Sequence, residues 1–224
     1  MSKYNNISVI FDLDGTLVHS SPSLTKAANK LLKKINRKKV TLKTYESFIG
    51  KGVPNQIKCL LEFTGGIPDD GLENYINIFR EFYDQDPYSS SCCYDGVKET
   101  LFKLKEKGID LAICTQKNSD PAIKLLKKLE IFHFFDGFAF GDSLEVMKPD
   151  PKMVQFALRG LKKHLTFYIG DSETDSMTAK NSNLKFFLFT GGYRKKEIDE
   201  IHHHEYFDNH NVILNLIEKN LKEN

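Results

Sequence analysis

Four short apolar runs recur along the chain, each five or six residues long and rich in β-branched or aromatic side chains: Ile7–Asp12, Ile109–Cys114, Leu165–Ile169 and Leu184–Phe189. Runs of this length and composition read as buried strands. Between and after them, apolar residues fall at helical spacing over Val97–Lys107, Pro121–Leu129, Pro151–Leu161 and Thr174–Asn181, and Val212–Leu221 reads as a closing amphipathic helix. Ser119, ahead of Pro121, fits a helix N-cap with proline near the first turn. Strand and helix alternating through the last two-thirds of the chain predict an α/β fold built on a parallel sheet.

The stretch from Pro22 to Ser91 breaks that alternation. It carries helical patterns at Leu24–Ile35, Val53–Phe63 and Leu72–Tyr83 with no strand signal between them. Pro68–Gly71 and Pro87–Ser91 read as turns or a hinge. The economical organisation is a core made of residues 1–17 and 91–224, with a small helical domain, residues 18–90, inserted after the first strand.

Composition narrows the setting without naming a function. Lys and Arg number 32 against 30 Asp and Glu, a net charge of +2, and the basic residues are scattered or sit at helix ends such as Arg37–Lys39 and Arg194–Lys196. Such a balance argues against nucleic acid and against an anionic membrane as partners. No apolar run approaches the ~20 residues that span a bilayer. Met1–Asn6 is polar and runs straight into a strand, which does not fit a signal peptide. Cys59, Cys92, Cys93 and Cys114 have no metal-ligand spacing, so reduced thiols in a cytoplasmic protein are expected.

Chemistry concentrates where strands end. Asp12 and Asp14 leave the first strand at alternate positions, so both point the same way, and Gly15 permits a sharp turn. A calcium loop would need an acid at position 16 and Glu at 23, where the chain has Thr16 and Ser23. Asp171 and Asp175 follow the strand at Leu165–Ile169, one at its end and one in the first turn of the next helix. Hard carboxylate oxygens gathered at one sheet edge suit Mg²⁺. Thr115 and Gln116 leave another strand into a helix start, where a hydroxyl and free backbone N–H groups would make a phosphate cradle. Lys148, backed by Pro149, adds a cation. Four ionised aspartates against one Mg²⁺ and one lysine leave an excess of negative charge, which favours a protonated Asp14 if a phosphate is to bind.

Asp12-Leu-Asp-Gly-Thr16, Thr115, Lys148 and Gly170-Asp171…Asp175 together resemble the haloacid dehalogenase superfamily of phosphatases, most closely its phosphoglycolate-phosphatase-like branch, over essentially the whole chain. The resemblance implies a Rossmann-like parallel-sheet core with helices on both faces and an inserted α-helical cap. It implies that Asp12 attacks phosphorus and forms an aspartyl-phosphate, while Asp14 protonates the leaving oxygen and then activates water. Asp12, the backbone carbonyl of Asp14 and Asp171 would hold Mg²⁺, with Asp175 as a further ligand or a guide to bound water. Thr115 and Lys148 would grip the phosphoryl oxygens. Phe48-Ile-Gly-Lys-Gly52 looks like the branch's cap loop, which makes Lys51, like Gln116, a candidate substrate contact. The implied substrate is a small phosphorylated metabolite, 2-phosphoglycolate first, with nucleotides and sugar phosphates as alternatives.

Departures are few. His19 stands where the branch commonly has an acid, and Gln116 where a small residue or Asn is common. Members that cleave carbon–phosphorus bonds replace the second aspartate with alanine, so Asp14 argues against that chemistry and against dehalogenation. A sugar-phosphate mutase usually carries histidine where this chain has Leu24. A non-catalytic phosphate-binding module would be expected to lose the nucleophile. His202–His204 is expected to be a polar loop rather than a ligand set.

Overall fold

Ile7–Phe11 is buried at all five positions, as a strand covered on both faces must be. In the computed structural model, which describes Tyr4 and residues 6–86, 90–161 and 165–222, this strand, β1, is central. The chain passes at β2 (Val18–His19) into a helical segment: α1 (Ser21–Lys34), α2 (Leu42–Glu46), α3 (Gly52–Thr64) and α4 (Leu72–Gln85). It returns at β3 (Cys92–Cys93) and continues as α5 (Val97–Glu106), β4 (Asp110–Cys114), α6 (Ser119–Lys128), β5 (Gly137–Ala139), α7 (Lys152–Ala157), β6 (Leu165–Gly170), α8 (Glu173–Asn181), β7 (Lys185–Phe189), β8 (Glu205–Phe207) and α9 (Ile213–Lys222).

Six strands form one parallel sheet in the order β5-β4-β1-β6-β7-β8. Val9 of β1 lies opposite Leu111 of β4 on one side and Phe167 of β6 on the other. The strand order reverses direction at β1, and the crevice beyond the carboxyl ends there is where open α/β sheets bind ligands. Ile10, Ala112, Tyr168 and Phe186 share one face of the sheet with Met153 and Ala157 of α7 and Ala179 of α8. Alternation sends Val9 and Phe11 to the opposite face, and α5 packs on β4 with α9 against it. The result is a Rossmann-like α/β core with helices on both faces.

The chain divides into two compact units, Met1–Val18 with Cys93–Asn224, and His19–Cys92. Within the second, α1 buries Leu24, Ala27, Ala28, Leu31 and Leu32, and α4 buries Tyr75, Ile76, Phe79 and Tyr83. Both sets fall on one helical stripe, which is why the two helices pack together. Tyr45 of α2 is fully buried, and its hydroxyl donates to Gln56 Oε1 at 3.0 Å. Gly71 closes the expected turn on Pro68 O at 3.1 Å. Of the Pro87–Ser91 turn, residues 87–89 lie outside the described residues.

Several boundaries differ from the sequence reading. The helix expected to reach Leu161 ends at Ala157, ahead of Gly160 at φ +85°. Ser119 is the first helical residue of α6 rather than its cap: Asn118 takes the cap position, and Asp142 accepts from Ser119 N–H at 2.9 Å and from its hydroxyl at 2.8 Å. That distant carboxylate satisfies a donor that the helix start leaves unpaired. Helix α2 and strands β5 and β8 add elements absent from that reading. His203 Nδ1 lies 2.6 Å from the Ile201 carbonyl, and His204 Nδ1 accepts from Phe186 N–H at 3.1 Å. No helix among the described residues is long and apolar enough to cross a membrane.

Candidate active site

Asp12 extends β1 by one residue, its N–H bonded to Ile169 O at 2.9 Å. The chain then folds over the carbonyl of Leu13, which accepts from the N–H groups of Thr16, Leu17 and Val18 at 3.0–3.3 Å. Gly15 sits in this turn at φ +92°, and a Cβ there would lie 2.5 Å from Asp171 Oδ2. Glycine is required twice over, for the backbone angle and for the approach of the acid.

Asp171 follows β6 and is 1% exposed. Its Oδ1 accepts from the Thr16 hydroxyl at 2.7 Å and its Oδ2 from Tyr193 N–H at 2.6 Å. Asp175, fully buried in the first turn of α8, forms a reciprocal capping box with Ser172. Its Oδ2 accepts from Ser172 N–H at 3.1 Å and from its hydroxyl at 2.6 Å, leaving Oδ1 to face Lys148 Nζ at 2.7 Å and the Tyr168 hydroxyl at 3.2 Å. Lys148 Nζ also donates to Asp12 Oδ1 at 2.8 Å. The loop carrying Lys148 is tied down by Gln116 Nε2 on the Lys148 carbonyl at 3.2 Å and by Asn181 Nδ2 on that of Pro149 at 2.9 Å.

The electrostatics follow from burial. Desolvation, only partly offset by Lys148, pushes the Asp12 carboxyl up to about 7. Asp171 rises well above the usual carboxylate range, by burial first and then by the charges of Asp175 and Asp12. Burial works against the Lys148 ammonium, but Asp12 and Asp175 outweigh it and hold the proton on. One lysine is therefore insufficient for the three acids around it. Asp12, Asp171 and Asp175 each bring one carboxylate oxygen within 4.8 Å of the others, and among the described residues they form the one such group with the donors for a cation. An under-compensated set of hard oxygens fits Mg²⁺.

Asp12, Asp14, Thr115, Gln116, Lys148, Asp171 and Asp175 all belong to the same unit, on or beside the carboxyl ends of β1, β4 and β6. Thr115 is buried, its N–H bonded to Ala139 O at 2.9 Å and its hydroxyl accepting from Lys117 N–H at 3.2 Å. With Ser119 N–H on Asp142, three backbone donors of the expected phosphate cradle are already committed. Lys51 lies in the other unit, exposed at the N-cap of α3, between Gly50 and Gly52 at φ +130° and +75°.

Sequence reasoning assigned no part to Lys117, Thr16, Ser172, Tyr168 or Tyr193. Lys117 pairs with Asp14 at 3.3 Å. Its place in the same strand-end turn as Thr115 was a usable signal. Tyr193 acts through its backbone N–H, and no residue pattern advertises that.

Residues 9–189 match the model of the haloacid dehalogenase-like hydrolase family. The chain is 36% identical over 210 residues to a phosphoglycolate phosphatase of Cereibacter sphaeroides, covering 93% of this chain and 96% of that one. A phosphoglycolate phosphatase of Rhodobacter capsulatus is 35% identical over 213 residues, 94% of this chain and 96% of its own. Among solved structures, a "predicted phosphoglycolate phosphatase" from Haemophilus somnus 129PT superposes with a TM-score of 0.88 at 27% identity, covering 94% and 97% of the two chains. With the family's motifs assembled at one sheet edge, the chain belongs to the haloacid dehalogenase-like hydrolases.

Proposed function

We propose that the protein is a Mg²⁺-dependent phosphatase that hydrolyses a small phosphomonoester, 2-phosphoglycolate first among them, through an aspartyl-phosphate on Asp12. The observation that carries this reading is the pairing of Asp12 with Lys148 among buried acids that one lysine cannot neutralise. The relatives named phosphoglycolate phosphatase support the substrate.

Asp12, Asp171 and the Asp14 carbonyl would hold the cation. Asp175, whose oxygens already accept from Lys148, Tyr168 and Ser172, would orient Lys148 or a bound water. Bound there, Mg²⁺ would draw off negative charge and let an anionic ester approach the Asp12 carboxylate. A carboxylate oxygen of Asp12 attacks phosphorus, the ester P–O bond breaks, and Asp14 gives its proton to the departing alkoxide. Asp14 then takes a proton from water, whose oxygen attacks the same phosphorus; the bond to Asp12 breaks and inorganic phosphate leaves. Lys148 and Thr115 hold the phosphoryl oxygens throughout, and Gln116 keeps the Lys148 loop in place.

The helical unit serves as the substrate-selecting cap, residues 18–90, with Lys51 as its contact to the organic part of the substrate. A small metabolite, rather than a nucleic acid or a membrane, is the partner this arrangement suits. Four cysteines that form no disulfide support a cytoplasmic setting. A panel of phosphorylated metabolites, assayed for phosphate release with Mg²⁺ and with excess chelator, tests the reading. Best turnover on a phosphoprotein, or undiminished turnover in chelator, would overturn it.

A further inference from the structure

His210 lies 194 residues along the chain from Thr16, yet its Nε2 is 2.9 Å from the Thr16 carbonyl. The ring is 1% exposed and boxed by aromatic groups, with ring centres 4.5 Å from Phe189, 5.4 Å from Phe207 and 6.2 Å from Tyr94. Its own carbonyl accepts from the Thr100 hydroxyl at 2.9 Å, which anchors it to α5. Burial, outweighing the pull of the Thr16 and Asp95 backbones, pushes the ring down to about 4, so it is neutral at physiological pH and carries one N–H. Nδ1 makes no hydrogen bond of good geometry among the described residues, although the Asp95 backbone also pulls on the ring. A carbonyl oxygen can only accept, so the 2.9 Å contact with Thr16 is a hydrogen bond with the N–H on Nε2.

We propose that His210 is a positioning residue of the active site: it holds the Thr16 carbonyl from behind, and so fixes both the turn that carries Asp12 and Asp14 and the Thr16 hydroxyl that steers Asp171. The amides of Thr16, Leu17 and Val18 converge on Leu13 O and that of Gly15 goes to Val18 O, while the Thr16 carbonyl takes its hydrogen bond from His210. Without that bond, a buried carbonyl is left unpaired, and the turn must shift to find water. Any such shift moves Asp14, two residues back, and the hydroxyl 2.7 Å from Asp171 Oδ1. His210 itself touches neither substrate nor cation. The proposal rests on the hydrolase reading for its catalytic consequence only; the latch is a property of the fold.

Three variants of the full chain test it. Glutamine can put an amide N–H where Nε2 stood, asparagine is one bond too short, and phenylalanine fills the box without a donor. In H210F and H210N, amide exchange at Thr16, Leu17 and Val18 should quicken by about tenfold. Their kcat should fall by about tenfold to a hundredfold with KM within about twofold, because the misplaced groups act in the transition state. H210Q should recover both properties. If H210F does not fold, H210N against H210Q decides alone. Equal exchange and equal kcat in these two, or wild-type behaviour in folded H210F, would overturn the proposal. The exchange measurement needs no turnover, so a protein that hydrolyses nothing would defeat the phosphatase reading and still leave the latch decided.

Discussion

Lys117 places its Nζ 3.3 Å from each carboxylate oxygen of Asp14, with both side chains largely sheltered from solvent. That is longer than the ~2.8 Å of a tight charge-assisted bond. The contact aims Asp14 without locking it, which suits the proton-donor role proposed for it. Asp14→Asn should lower kcat on an alkyl ester such as 2-phosphoglycolate by about a hundredfold or more. It should cost far less on 4-nitrophenyl phosphate, whose oxygen leaves without a proton. Steady-state kinetics on the two substrates checks this; equal losses would leave Asp14 a structural role only.

Metal binding and pH should be linked through Asp12 and Asp171. Both carboxyls are raised in the folded protein, so between the unfolded carboxylate range and about 7 the native state binds more protons than the unfolded chain. The stability that these two groups contribute to the metal-free protein should therefore be greatest below that window and decline as pH rises through it. Mg²⁺ competes with those protons, so its thermal stabilisation should be larger at pH 8 than at pH 5. Melting curves with Mg²⁺ and with chelator at the two pH values measure it. A Mg²⁺ shift that is equal at both, or larger at pH 5, would contradict the account.

Lys148 is 7% exposed and bonded to two acids. Removing one partner of a buried ion pair strands the other, typically at a cost of about 3–5 kcal/mol. Lys148→Ala should therefore be inactive and, without metal at pH 8, destabilised by about 3 kcal/mol. The loss should shrink at pH 5, where Asp12 relieves itself by taking a proton. Denaturant unfolding at both pH values reads this, and a pH-independent loss would count against the assigned electrostatics.

What the sequence disclosed follows physical lines. The long strands were legible because each is a continuous buried run, as β1 shows at Ile7–Phe11. Asp12, Asp14, Thr115 and Asp171 were legible because each closes such a run. Gly137–Ala139 and Glu205–Phe207 are three residues each, too short to show a period, and they pair only because neighbouring strands already stand beside them. Five-residue α2 is likewise shorter than two helical turns. Asp142 capping α6 and Tyr193 N–H on Asp171 are contacts across 23 and 22 residues of chain, made by the fold rather than by local pattern.

Lys51 tests the cap assignment. It is exposed, and its glycine neighbours have open backbone angles, with nothing within 4 Å of a Cβ placed on Gly50. Lys51→Ala should raise KM for 2-phosphoglycolate by about tenfold, the equivalent of about 1.4 kcal/mol, and spare 4-nitrophenyl phosphate. Unchanged kinetics on both would make Lys51 a solvent-facing lysine.

The most direct test is phosphate release from 2-phosphoglycolate with Mg²⁺, measured side by side on the wild type and on folded Asp12→Asn. The account predicts turnover at about 1–1,000 per second for the wild type and a loss of at least about a thousandfold in the variant. Turnover of the variant within tenfold of the wild type, or a wild type that releases no phosphate from any small phosphomonoester, would contradict it.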